Sequence, residues 1–293
     1  MPSSIASLPP DQLSHLQRAY ADAVAAKRRQ MMIGGAVLLV CIIIAGIVSE
    51  VRPVTFFENV FRFFSYLGRI FTLESGASVF SDPREWFWGL NKWLHLLWQT
   101  LVIAYVGTLL GAIAGFLLCF LAAANLVSNP WVRLSIKRFL EFCRTVPELV
   151  FALIFVASFG LGPLAGVMAI AIHTAGALGK LFSEVVENID MKPAEGVTAS
   201  GGSWVQMVRF AVVPQVLSNF ASYGLLRFEI NVRGAAVMGF VGAGGIGQDL
   251  MEAIRKFYYS DVSALLVLII ITVMIIDQLT ERLRHSLLGL EAR

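Results

Sequence analysis

The chain has 293 residues, of which 57% are hydrophobic and only 15% charged, and its mean hydropathy is +0.73. That balance excludes an ordinary water-soluble domain, and a net charge of +3 carries no nucleic-acid signature. Its apolar runs reach the roughly 18–20 residues that cross about 30 Å of hydrocarbon as a helix, without the alternation of barrel strands. The expected class is therefore an all-α membrane protein, since a lipid-exposed backbone must satisfy its own polar groups.

At the N-terminus, Pro9-Pro10-Asp11 reads as a helix start with Asp11 as the cap. Leu13, Leu16, Tyr20 and Ala23 then share one face, so residues 1–30 are expected to form a cytoplasmic amphipathic helix and not a signal peptide. Lys27, Arg28 and Arg29 close it and hold the start of the first span, residues 31–48, on the inside.

Residues 49–93 form an extracytoplasmic insert. Within it Glu58, Arg62, Ser65 and Arg69 make a polar stripe opposite Phe56, Phe57, Val60, Phe64, Leu67 and Phe71. This pattern suits a helix lying in the membrane interface. Trp86, Trp88, Trp93 and Trp98 resemble an aromatic belt where the next helix enters the bilayer.

The second span, about Leu96 to Asn125, carries Gly107, Gly111 and Gly115, a ridge that admits close backbone contact with a neighbour. It reaches a loop with Arg133, Lys137 and Arg138, as befits the cytoplasmic side. The third span runs continuously from about Phe139 to Phe159. The turn Gly160-Leu161-Gly162-Pro163 leads into the fourth, about Leu164 to Val186. A polar segment, 191–214, then falls inside. The fifth span, about Gln215 to Val241, ends in an outward loop, Gly242 to Ser260. The sixth, about Val262 to Leu283, returns the chain to a cytoplasmic tail, 285–293. Six spans with both termini inside make every assignment consistent. The three cysteines, Cys41, Cys119 and Cys143, have neither metal-ligand nor disulfide spacing and read as small packing residues.

Two glycine motifs suggest nucleotides and fail. Gly242, Gly244 and Gly247 satisfy G-x-G-x-x-G with Gly245 between them, yet they follow a transmembrane helix and lack the strand a dinucleotide fold needs. Gly176 to Leu181 offers a Gly-Lys pair without the P-loop spacing or its Ser/Thr. No cofactor is expected on this chain, and it is not expected to be an enzyme.

Ionisable residues inside the spans are costly and need a partner or a wet cavity. Arg144 and Glu148 are four apart, as are Glu229 and Arg233, so each pair either satisfies itself on one helix face or lines a pathway. Arg227 has no acid three or four residues away and is left as a surplus positive charge. Facing a pathway, it would favour an anion. His173 reads as a packed, hydrogen-bonded histidine in preference to a proton relay, since no carboxylate lies four residues away.

Glu195, Gly201 and Pro214, in the segment EGVTASGGSWVQMVRFAVVP, resemble the EAA loop of ABC importer permeases, with Gly196 and Val197 replacing its two alanines. Residues 143–190 and 226–247 resemble the phosphonate ABC-transporter permease family in particular, and the likeness extends over about 94–284. The resemblance implies a type I importer fold in the inner membrane, with residues 94–284 as the permease domain. It also implies two ATP-binding subunits carrying the ATP and magnesium, an extracytoplasmic binding protein, and a second identical permease. Glu195, Gly196, Gly201 and Pro214 would couple to the ATPase, Glu195 either meeting donors there or capping its own helix. Gly242, Gly244, Gly245 and Gly247 would lie near the outer gate. The implied cargo is a phosphonate, phosphite or phosphate. A gradient-driven secondary transporter using Glu148, His173 and Glu229 is the alternative from another class, and it leaves the EAA-like loop unexplained.

Overall fold

A computed structural model of the chain describes residues 10–50, 52–73 and 75–291. Pro9 and the ends of the two terminal segments lie outside the described residues, as do the side chains of Leu13, Leu16 and Phe56. The chain divides into two compact units, 1–66 and 67–293.

In the first unit, α1 (Pro10–Val48) is one unbroken helix. No glycine-proline punctuation separates residues 1–30 from 31–48, and the intervening lysine and arginines are good helix formers. The expected Asp11 cap lies outside the described side chains. None of the apolar window of Gln17–Val48 is buried, and Cys41 is exposed, not packed. A second helix, α2 (Pro53–Ile70), carries the Glu58–Arg69 stripe and the phenylalanines.

The second unit contains α3 (Pro83–Trp86), α4 (Leu90–Ala122), α5 (Pro130–Thr145), α6 (Glu148–Phe159), α7 (Pro163–Glu187) and α8 (Lys192–Ala199). After these come α9 (Trp204–Met207), a π-helical turn (Val208–Val212), α10 (Val213–Met238), α11 (Ile246–Lys256) and α12 (Tyr259–Glu291). Among the described residues four helical stretches are long and apolar enough to cross a membrane: Gln17–Val48, Leu90–Ala122, Pro163–Glu187 and Tyr259–Ser286. The pair α5–α6 makes a fifth if counted as one span.

That pair corrects the continuous third span. α5 and α6 meet at 84°. Val146 (φ −71°, ψ 123°) and Pro147 (φ −56°, ψ 138°) are extended, because a residue before proline is pushed out of the α region and proline has no N–H to continue the ladder. Arg133, Lys137 and Arg138 consequently sit on a helix, α5, and Lys137 bridges to Glu187 at 2.9 Å.

The bundle centres on α4 and α7, which pack along the glycine ridge. A Cβ on Gly111 would lie 2.6 Å from Thr174 Cβ, and one on Gly115 would lie 2.9 Å from the Gly179 nitrogen. These approaches are closer than any side chain tolerates, so the backbones touch where the ridge allows it.

Three apolar clusters are stacked along the bundle. One, at the α8–α9 end, joins Phe120, Phe182, Val212 and Phe220, with Phe182 and Phe220 stacked at 3.9 Å. The middle cluster joins Ile103, Phe151, Ile170 and Val232. The far cluster joins Trp86, Trp93, Leu97, Ile246 and Leu265. Trp86 and Trp93 are thus core residues, and only Trp88 and Trp98 remain exposed as belt residues would be. Trp86 Nε1 donates to Ser263 Oγ at 2.9 Å, which satisfies its polar end inside the core.

Candidate coupling surface and intramembrane polar site

At one end of the bundle α8, α9 and the π turn connect α7 to α10. Asp190 Oδ1 accepts from the Lys192 backbone at 3.0 Å and opens α8, where Glu195 is the acidic residue of the first turn, favourable to the helix dipole. Its carboxylate is exposed and has no protein hydrogen-bond partner among the described residues, and Met191 supplies no side-chain cap. Gly196 is exposed beside it with open space around it.

Gly201 turns the chain with φ +84°, a conformation that L side chains rarely adopt. Ser203 and Gln206 then form a reciprocal capping box for α9. Pro214 stands in the first turn of α10, directly after the π-helical turn, where it has no N–H to continue the ladder. Ala194, Met207, Val208 and Val212 anchor the segment in the core, and Trp204 Nε1 donates to the Leu126 carbonyl at 3.0 Å. The result is a fixed elbow presenting Glu195, Gly196, Trp204, Val205 and Phe210 outward.

At the opposite end, Gly242 to Gly245 forms a tight turn into α11, whose first turn contains Gly247. Gly244 and Gly245 have φ of +88° and +79°, and a Cβ on either would press on Pro163 or Thr100. Gly245 N donates to Gln99 Oε1 at 3.3 Å and Ile246 N to Thr100 Oγ1 at 2.9 Å, while the Gly242 carbonyl accepts from Gly162 N at 2.9 Å. Gly247 packs against Ala236 and Gly239. The turn therefore clamps α4, α7 and α10 together. On α11, the hydrogen bond from Lys256 holds the Glu252 carboxyl below the usual carboxylate range and raises the lysine in return.

Between these ends lies a cluster that corrects two sequence expectations. The bend at Pro147 separates Arg144 from Glu148, so they form no ion pair. Arg144 is exposed at the end of α5, while Glu148 points into the bundle. Arg227 is not a surplus charge. Its Nη2 lies 3.8 Å from Glu148 Oε2, and it also contacts His173 Nδ1. His173 Nδ1 is likewise 3.8 Å from Glu148 Oε2, so the histidine has a carboxylate neighbour after all, supplied by another helix. His173 Nε2 donates to the Arg144 carbonyl at 3.1 Å, which fixes the tautomer and leaves Nδ1 to accept from Arg227.

Around this trio runs a neutral network that sequence reading missed. Asn231, 0% exposed, donates to Thr108 Oγ1 at 2.8 Å and to Thr174 Oγ1 at 2.9 Å, tying α10 to α4 and α7. Arg227 Nε donates to the same Thr174 hydroxyl at 3.5 Å. The available signal was the four-residue step from Arg227 to Asn231 along an apolar helix. Glu229 and Arg233 pair with each other as their spacing implies, and they face elsewhere: Arg233 lies 3.9 Å from Asp277, and Thr280 donates to Glu229 at 3.5 Å, both on α12. Among the described residues no group of His, Cys, Asp and Glu is arranged to hold a metal ion.

Residues 107–287 match the family described as binding-protein-dependent transport system inner membrane component. Among curated proteins, the chain is 38% identical over 198 residues to the phosphite transport system permease protein PtxC of Stutzerimonas stutzeri, covering 68% of this chain and 72% of that one. It is 39% identical over 190 residues to the phosphate-import permease protein PhnE of Mycolicibacterium smegmatis, covering 65% of this chain and only 36% of that protein. It is 51% identical over 117 residues to the putative cryptic phosphonate transport system permease protein PhnE2 of Escherichia coli K12, which is 40% of this chain and 96% of that one. Its fold is similar to a chain of the MetNI methionine ABC transporter in an inward-facing conformation, with TM-score 0.59, 20% identity, and coverage of 70% of this chain and 98% of that one.

Proposed function

The chain belongs to the binding-protein-dependent transport system inner membrane component family, and on that premise we propose that it is the permease subunit of an ATP-driven importer of phosphonates or the related oxyanions phosphite and phosphate. The observation that carries this reading is that the family match over 107–287 encloses both the Glu195–Pro214 elbow and the buried Arg227 site.

Two copies of the permease pair with two ATP-binding subunits, which hold the ATP and magnesium, and a binding protein delivers cargo at the far end. Closure of the motor pushes on α8. The elbow is tied by Trp204 to Leu126 and by its apolar anchors to the α7–α10 core, so the displacement passes into those helices. Gly201 keeps the elbow sharp, and Pro214 begins the helix that carries Arg227. The glycine segment Gly242–Gly247 lies by the outer gate.

In this reading six segments cross the inner membrane: α1, α4, the bent pair α5–α6, α7, α10 and α12, with both termini inside. α10 is long enough, since 26 residues span about 39 Å at 1.5 Å per residue. Its mid-helix charges make it less apolar than the others. α2 lies in the outer interface.

Reconstitution with the ATPase and binding protein tests the proposal. Vesicles should accumulate methylphosphonate only when ATP, the ATPase and the binding protein are all supplied. Uptake by the permease alone, driven by an ion gradient, would remove the importer reading.

A further inference from the structure

Arg227 lies near the middle of α10 and His173 near the middle of α7, so their cluster with Glu148 is deep within the bundle. An ionised side chain at a bilayer centre is costly unless it is paired or wetted. Here the pairing is incomplete. Glu148 Oε2 is buried, stands 3.8 Å from its nearest cationic atom, and accepts no hydrogen bond among the described residues. A carboxylate serving as a permanent partner to a guanidinium closes to about 2.7–2.9 Å, commonly through two parallel bonds. The other contacts of the Arg227 guanidinium, His173 and Thr174, are neutral.

A polar cleft approaches this cluster along α10. Gln215, Asn219, Tyr223 and Arg227 recur every four residues and share one face of α10. The first three line an open cleft of about 550 Å³, facing Glu184, Asn188 and Asp190. The cleft starts beside α8 and ends at Tyr223, one helical turn short of Arg227. No cation lines it.

We propose that Arg227 is the oxyanion site of the translocation route and that Glu148 is its resident counter-ion, displaced when a phosphonate group takes the guanidinium. The inference rests on the importer reading and assigns it a chemistry. Two anions beside one guanidinium repel each other strongly in a low-dielectric interior, so bound cargo loosens the hold on Glu148 and Glu148 opposes cargo. The planar fork of arginine matches phosphonate oxygens in a way the carboxylate at 3.8 Å does not exploit: Nε and Nη2 rest on the neutral Thr174 and His173, and Nη1 takes part in none of these contacts. Without cargo, Glu148 neutralises the site and denies it to small anions. Cargo moving on into a cleft of acids and amides meets nothing cationic to detain it, and Glu148 returns. Gly234 provides the seat: a Cβ there would collide with Glu148 Oε1.

The test uses the permease–ATPase complex, melted in detergent without added lipid and reconstituted in vesicles with the binding protein. Wild type, R227Q, R227K, E148Q and E148Q/R227Q are compared for protection by methylphosphonate against thermal unfolding, and for ATP-dependent uptake. Methylphosphonate should raise the melting temperature of the wild type. E148Q should be protected at about tenfold lower concentration, within the usual range of coupling between competing ligands. R227Q should lose protection and uptake, and R227K should keep part of both.

If R227Q alone misfolds, the double variant decides, because it removes both charges. It should melt as the ligand-free wild type does, yet stay unprotected and inactive. Recovery of uptake in the double variant would make the pair a structural bridge and overturn the proposal. So would an unprotected wild type, or protection by added phosphatidylglycerol but not by methylphosphonate. A wild type that is protected but transports no methylphosphonate leaves the site standing and removes the importer reading instead.

Discussion

Asn231 holds three helices through one amide, donating to Thr108 on α4 and Thr174 on α7 from its place on α10. It sits one turn from Arg227, and the two share the Thr174 hydroxyl, so the orientation of the guanidinium and the packing of the bundle are fixed by the same side chains. That arrangement depends on Gly111, whose missing Cβ gives Thr174 its space. Replacing Gly111 with valine should destabilise the protein by about 1–3 kcal/mol through overpacking. Thermal unfolding in detergent would read this as a lowered melting temperature. Gly34→Val, where nothing lies within 4 Å, serves as the control and should melt as the wild type does. Equal melting of the two variants would mean that α4 and α7 do not meet along the ridge.

Among the elements, the α5–α6 pair departs most from its sequence expectation, and its cause is local. Hydropathy sees one apolar run, but Val146-Pro147 cannot stay helical, and the 84° turn that results sends Glu148 inward while leaving Arg144 outside. α6 alone has 12 residues, about 18 Å of helix. Pro147→Ala should let the two helices straighten and withdraw Glu148 from Arg227. With the native cysteines replaced, spin labels at the exposed positions Phe139 and Ile154 would then move apart toward about 22 Å, the length of fifteen helical steps. An unchanged distance would assign the bend to tertiary packing and not to the proline.

At the scale of the whole molecule, the elbow at Glu195 and the glycine turn at Gly244 lie at opposite ends of α10, so the proposed topology puts them on opposite sides of the membrane. Single cysteines at Thr198 and Arg255, both exposed, should react oppositely with an impermeant reagent. In right-side-out vesicles position 255 should label and position 198 should label only after permeabilisation. Labelling of both from one side would break the six-span arrangement.

Much of this was legible in the residues. The apolar runs required membrane helices, and the glycine ridge at 107, 111 and 115 marked the face where α4 meets a neighbour. Residues Glu195 to Pro214 stood out as a polar break between apolar runs, where the structure has its elbow, and the family likeness marked the class of machine. These signals are periodic or contiguous, so a single strand of sequence contains them. The partner of Arg227 was not legible in this way. His173 is 54 residues from Arg227, and Thr108 is 123 from Asn231; no periodicity links such positions. Trp86 and Trp93 were misread for the same reason, since the surfaces that bury them come from α11 and α12. Sequence alone determined which segments are long and apolar, because that is a property of neighbours along the chain, although it missed that the start of α5 and all of α11 are helical where loops were expected. Only the tertiary structure decided which charges neutralise one another, because in a low-dielectric interior that depends on distances of a few ångströms between helices.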